Sequence, residues 1–86
     1  MRIWKYQIPL KDSFTINMPS GADVLCVQLQ DGLPTIWAVV NPEAPILDVA
    51  FVLCGTGHPV SEDCGPYIGT FQLSNGLVFH LFEAIA

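Results

Sequence analysis

The stretch V-L-C-V-Q-L-Q-D-G-L-P-T-I-W-A-V-V, from Val24 to Val40, constrains this chain more than any other part of it. Two apolar, β-branched runs flank Asp31-Gly32, a pair that supplies the positive φ angles a two-residue type I′ hairpin turn demands. With those two residues at the centre of the turn, Val27 faces Ile36 and Cys26 faces Trp37. Leu25, Val27, Ile36 and Ala38 then share one face, and Val24, Cys26, Trp37 and Val39 share the other. Both faces are apolar. A hairpin solvated on one side alternates apolar with polar residues, so the second face here calls for a cover of its own, from another layer or another chain.

The rest of the chain follows the same two-residue period. Trp4, Tyr6 and Ile8 alternate with Lys5 and Gln7 up to Pro9, and Phe14, Ile16 and Met18 alternate with Ser13, Thr15 and Asn17 up to Pro19-Ser20-Gly21. Asn41-Pro42-Glu43-Ala44-Pro45 is a turn cluster, since two prolines spoil a strand. A fifth strand over Leu47–Cys54 points Leu47, Val49, Phe51 and Leu53 inward and Asp48 outward. After a loop, Gly55–Pro66, a second hairpin pairs Tyr67–Leu73 with Leu77–Glu83 about Asn75-Gly76 and sets His80 opposite Phe71. No long window holds the apolar stripe of a helix. Seven or so short strands, spaced roughly 8–12 residues apart, predict an all-β single domain over 1–86: a small antiparallel β-sandwich or a partly open β-barrel built from hairpins.

Composition narrows the partners. Apolar residues make up 51% of the chain and charged residues 13%, against roughly 25% charged in an average soluble protein. Such a surface is poorly charged for a monomer. The net charge is −5, and the only cations, Arg2, Lys5 and Lys11, fall at the N-terminal end. A phosphate-tracking groove needs clustered cations, so direct nucleic-acid binding is not expected. Three cysteines cannot all pair with one another, the N-terminal residues hold no apolar leader segment, and no apolar run approaches the roughly 18 residues of a membrane span. These features predict a cytoplasmic protein with reduced thiols and no membrane contact.

One segment, F-V-L-C-G-T-G-H-P-V-S-E-D-C-G from Phe51 to Gly65, gathers residue types that do chemistry. Cys54, His58 and Cys64 are zinc-type ligands, with Glu62, Asp63 or water as a fourth. Their spacing lacks the close Cys-x2-Cys pairs of zinc sites, and Cys54 ends a strand where a small buried hydrophobe serves as well. Gly55-Thr56-Gly57 offers backbone amides to a phosphate, but no Gly-Lys-Ser/Thr follows and the adjacent carboxylates repel anions. His58 beside Cys64 or Ser61 lacks an orienting partner and an oxyanion motif. Glu62 and Asp63, as neighbours on a loop, do not predict the separation of a glycosidase pair. The reading is a loop with no catalytic residue, no metal and no cofactor. For partner contact, Trp4 and Trp37 stand out as aromatic anchors, with His58, Glu62 and Asp63 on an exposed loop.

The blocks W-K-Y-Q-I-P-L, I-N-M-P-S-G-A-D-V-L-C-V-Q-L-Q-D-G-L-P-T-I-W-A-V-V, G-T-G-H-P and Y-I-G-T-F-Q-L-S-N-G-L-V-F-H-L-F-E, in that order, resemble a family of short bacteriophage and prophage proteins. The resemblance covers nearly the whole chain and implies an accessory protein acting in the bacterial host. It carries no activity and no catalytic residue. The function expected is a non-enzymatic, homodimeric protein that binds a host or phage protein, in its specific form an inhibitor of a host defence system of the anti-CRISPR kind. A phage structural or assembly protein is the alternative, and a small metal- or ligand-binding module on the 54–64 loop is a third.

Overall fold

Seven antiparallel strands and no helix make up the computed structural model, which describes residues 1–85. The strands are β1 (Arg2–Gln7), β2 (Ser13–Pro19), β3 (Asp23–Gln30), β4 (Leu33–Val40), β5 (Ile46–Gly55), β6 (Cys64–Gln72) and β7 (Val78–Ala84). They form a three-stranded sheet in the order β1-β4-β3 and a four-stranded sheet in the order β2-β5-β7-β6. The chain crosses between sheets after β1, β2 and β4, and keeps each hairpin, β3–β4 and β6–β7, within one sheet. The sheets pack face to face without closing into a barrel, so the fold is a small open β-sandwich. No helix of the described residues is long and apolar enough to cross a membrane.

Alternation places the core between the layers. Val27, Ile36, Ala38 and Val40 come from the three-stranded sheet, and Met18, Phe51, Leu53, Phe71 and Leu81 from the four-stranded one. Gly69 lets the layers touch at one corner: a Cβ there would lie 2.8 Å from Val27 Cγ1. On β5, Phe51 and Leu53 are buried and Asp48 is exposed as the pattern predicts, but Leu47 at the strand's start is exposed as well.

The first hairpin has the predicted register, with Val27 opposite Ile36 and Cys26 opposite Trp37. Asp31 and Gly32 both take positive φ, 52° and 78°, as the type I′ turn requires. Beyond Cys26 the strict alternation fails. A bulge between Val24 and Cys26 brings Val24 opposite Ala38, so Val24 packs on the core and Leu25 is left exposed. Two residues on the bulged strand then oppose Trp37 alone.

The second hairpin corrects the sequence reading more sharply. Asn75-Gly76 does not form a two-residue turn: Leu73 N–H bonds to Leu77 O and Gly76 N–H to Leu73 O, which closes a three-residue loop. Only Gly76 has positive φ, 88°, the pattern of a type I turn followed by a left-handed glycine. The extra loop residue shifts the register by one. His80 therefore pairs with Thr70, and Phe71 pairs with Phe79. β6 also begins earlier than expected, at Cys64, because an edge strand tolerates Pro66 and two register shifts.

Candidate functional site

The outer face of the three-stranded sheet has Trp37 at its centre, between Lys5 on β1 and the Leu25-Cys26 bulge on β3. In the next row Val39 lies between Ile3 and Asp23, and on the other side Thr35 lies between Gln7 and Gln28. Lys5 Nζ donates to Gln30 Oε1 at 2.7 Å. That bond runs from β1 to β3 and so crosses β4, above Thr35, which is only 4% exposed. The face is thus divided into a polar half under the Lys5–Gln30 bridge and an apolar half. In the apolar half Ile3 is 62% and Leu25 49% exposed, while Trp37, Val39 and Cys26 are half-buried. The molecule is only 16 Å thick in its shortest dimension, enough for two sheet layers about 10 Å apart and no third. No described residue covers the face.

Trp4 lies at the open margin of the sandwich, beside β1's free edge, at 37% exposure. Together with Ile3, Lys5, Tyr6 and Trp37 it lines a shallow depression of about 410 Å³. Tyr6 packs on the core beneath it and its buried hydroxyl has no hydrogen-bond partner among the described residues. Burial pushes the Tyr6 phenol above its ordinary pKa, because the anion is the form that loses solvation.

The other predicted site residues lie on the opposite layer. The segment after β5 folds back over the outer face of the four-stranded sheet and buries Val52 and Cys54. Cys54 Sγ sits 3.5 Å from the carbonyls of Gly55 and Pro59 and 3.7 Å from that of His58, where a thiol acts as a weak donor. His58 is exposed, with its ring against Gly55. Glu62 and Asp63 are exposed too; Asp63 is tied by its amide to Ser61 Oγ and by its carbonyl to Ile85 N–H. Cys64 belongs to β6, paired with Ala84. Among the described residues no three His, Cys, Asp or Glu side chains come close enough to share a metal ion. Between this segment and β2 lies an open cleft of about 470 Å³, with Asp12, Ser13, His58, Ser61 and Asp63 at its walls.

One cluster escaped the sequence reading. His80 Nε2 is 2.7 Å from Thr56 Oγ1, His80 Nδ1 is 2.9 Å from Thr70 Oγ1, and Thr70 Oγ1 also meets the Tyr67 hydroxyl. One direction of donation satisfies the whole chain: Tyr67 to Thr70, Thr70 to Nδ1, Nε2–H to Thr56, and Thr56 to Val78 O at 3.4 Å. Both ring nitrogens are therefore engaged, and the arrangement pins β6 and the end of β5 to β7. A general base needs a nitrogen free to meet a substrate proton. The signal was hidden by register, since a two-residue turn would have set His80 against Phe71 rather than Thr70.

What the fold and the face define is a small open sandwich with the outer face of one sheet uncovered by the described residues. The chain belongs to the family described as a domain of unknown function, DUF7352, whose family model matches residues 1–86. Neither the curated proteins nor the solved structures contain a match.

Proposed function

We propose that this protein is a non-enzymatic accessory protein that works by binding other proteins, as a homodimer joined through the outer face of the three-stranded sheet. The observation that carries the reading is the uncovered apolar half of that face, Ile3, Leu25, Cys26, Trp37 and Val39. Fully burying a large apolar side chain is worth about 1.5–3 kcal/mol, and monomers rarely leave a contiguous row of them wet. Trp37 at its centre is the residue type that concentrates interface energy. The closed hydrogen-bond chain of His80 and the exposed, unassembled His58, Glu62 and Asp63 favour binding over catalysis.

With the sheet face taken by the dimer, the loop carrying Glu62 and Asp63 is left for a second partner. The sequence resemblance to phage and prophage proteins supports a bacterial host protein in that role, and inhibition of a host defence system as its outcome. An acidic surface suits a partner with a basic groove. The test is affinity capture from bacterial host extract, with the wild-type protein and a Glu62→Lys/Asp63→Lys variant run side by side. The reading predicts one stoichiometric host complex that the variant loses while still dimerising. Co-purification with virus particles, and with no host protein, would replace it with an assembly role.

A further inference from the structure

Resting on the reading just given, we infer that the two copies meet across a two-fold axis running along the strands, with β1 of each copy over β3 of the other. Two sheets that meet by the same face around a two-fold axis have that axis in the plane of the face. Where the strands of the two sheets stay nearly aligned, the commoner packing of antiparallel sandwiches, it runs along the strands or across them, and charge distinguishes these two. The cation of this face is Lys5 on β1; Asp31 stands in the turn at the polar end, lining the same depression as Lys5, and the carboxylate on the apolar half is Asp23 at the start of β3, on the far side of β4 and one row along. An axis across the strands near Trp37 sets β1 over its own copy, so Lys5 meets Lys5 while each Asp23 lies over the other copy's Gln28 and gains no cation. An axis along the strands, passing near Trp37, sets each Lys5 over the other copy's β3, one row from its Asp23.

A row spans about 7 Å of strand, within the sweep of a lysine side chain. In a single copy Lys5 Nζ is held by the neutral Gln30 Oε1, so in the dimer it exchanges a neutral acceptor for a carboxylate. Trp37 meets Trp37 and Val39 meets Val39 along the axis, the Lys5 stem covers the other copy's Leu25 and Cys26 on its way to Asp23, Ile3 lies over that Asp23 row, and Gln7, Gln28 and Gln30 form the polar rim. The strands of the two copies then lie nearly aligned, as in stacked sheets generally. The patch is small, which places the dimer at the weak end of the range, with dissociation at micromolar concentration.

The experiment is sedimentation equilibrium across the micromolar range on the full chain, its Lys5→Glu and Asp23→Lys variants, and the double variant. Both positions are exposed, so the folds should survive, and circular dichroism checks this. Each single reversal sets like charges together and is expected to weaken the dimer about tenfold, and the double variant to recover to within about threefold of wild type. Insensitivity to the single changes, or a double variant no better than either, would overturn this arrangement while leaving the dimer itself in place. A monomeric wild-type protein would remove the underlying reading as well.

Discussion

Substituting Gly69 by alanine tests a point where the backbone of one layer comes close to a core side chain of the other. The new Cβ would lie 2.8 Å from Val27 Cγ1, 3.7 Å from Val27 N and 3.8 Å from Val27 O, whereas carbon atoms pack best at about 3.5–4.0 Å. Val27 is 5% exposed within the core, and a β-branched side chain has little freedom to swing aside. β6 and β3 must separate by several tenths of an ångström. Overpacking of this kind costs about 1–3 kcal/mol, offset by about 0.4–1 kcal/mol because alanine restricts the unfolded chain. A net loss of about 1.5 kcal/mol corresponds to roughly 6–12 °C in Tm for a domain of this size. Val27→Ala alone removes two methyl groups, at about 0.8 kcal/mol each before any cavity term. In the double variant the alanine at 69 fills the space that Val27 vacates, so the two costs should fall short of their sum by about 1 kcal/mol. Urea unfolding of the four proteins, with the slope checked for constancy, measures this. A Gly69→Ala protein as stable as wild type, or strictly additive costs, would refute the packing of β3 on β6.

Tyr6→Phe should leave stability unchanged or raise it by up to about 2 kcal/mol, since it removes a buried hydroxyl without a partner. It should also reduce sensitivity to alkali: the folded phenol's pKa lies above the ordinary value of 10.0, so above that pH the unfolded state has lost a proton that the folded state keeps, and stability falls as pH rises. Chemical unfolding between neutral pH and the alkaline range reads both effects. Gly76→Ala, at a φ of 88°, should cost about 1–2 kcal/mol, and a loss below a few tenths would contradict the three-residue loop. Alkylation under native, non-reducing conditions should modify Cys64, and Cys26 once dilution dissociates the dimer, before the buried Cys54, all three should react after unfolding, and a chelator should leave the melting curve unmoved. A melting point that drops with chelator would promote Cys54, His58 and Cys64 to a structural metal site.

Where the chain folds as its pattern reads, a turn or an alternation leaves one solution. Asp31-Gly32 admits a type I′ turn, and the register down to Cys26–Trp37 follows. The alternation of Phe14, Ile16 and Met18 likewise places β2. The misreadings come from register, which local sequence specifies weakly. Nothing in V-L-C-V marks Leu25 as the bulged residue, because either neighbour is apolar enough for the core; burying Val24 decides it. Ser74-Asn75-Gly76 suits a two- or a three-residue loop, and the one-residue difference reverses every side chain of β7 relative to β6. The sheet places Phe71 against Phe79, their rings stacked 5.8 Å apart, and His80 goes outward to the threonines. Cys64-Gly65-Pro66 reads as loop, and becomes strand only because β6 is an edge. The candidate face was legible in part: two apolar faces on one hairpin announce a second cover, but which face the other sheet takes depends on packing among all seven strands.

The outer face of the three-stranded sheet is where we propose that two copies of this chain join. Light scattering well above the micromolar dissociation range, on the wild-type protein and on Trp37→Glu, tests it most directly. A dimer through this face gives about twice the 9.4 kDa chain mass for the wild type and the single chain mass for the variant, with the same β-type circular dichroism for both. A wild-type mass of one chain, or a dimer that Trp37→Glu leaves intact, would contradict it.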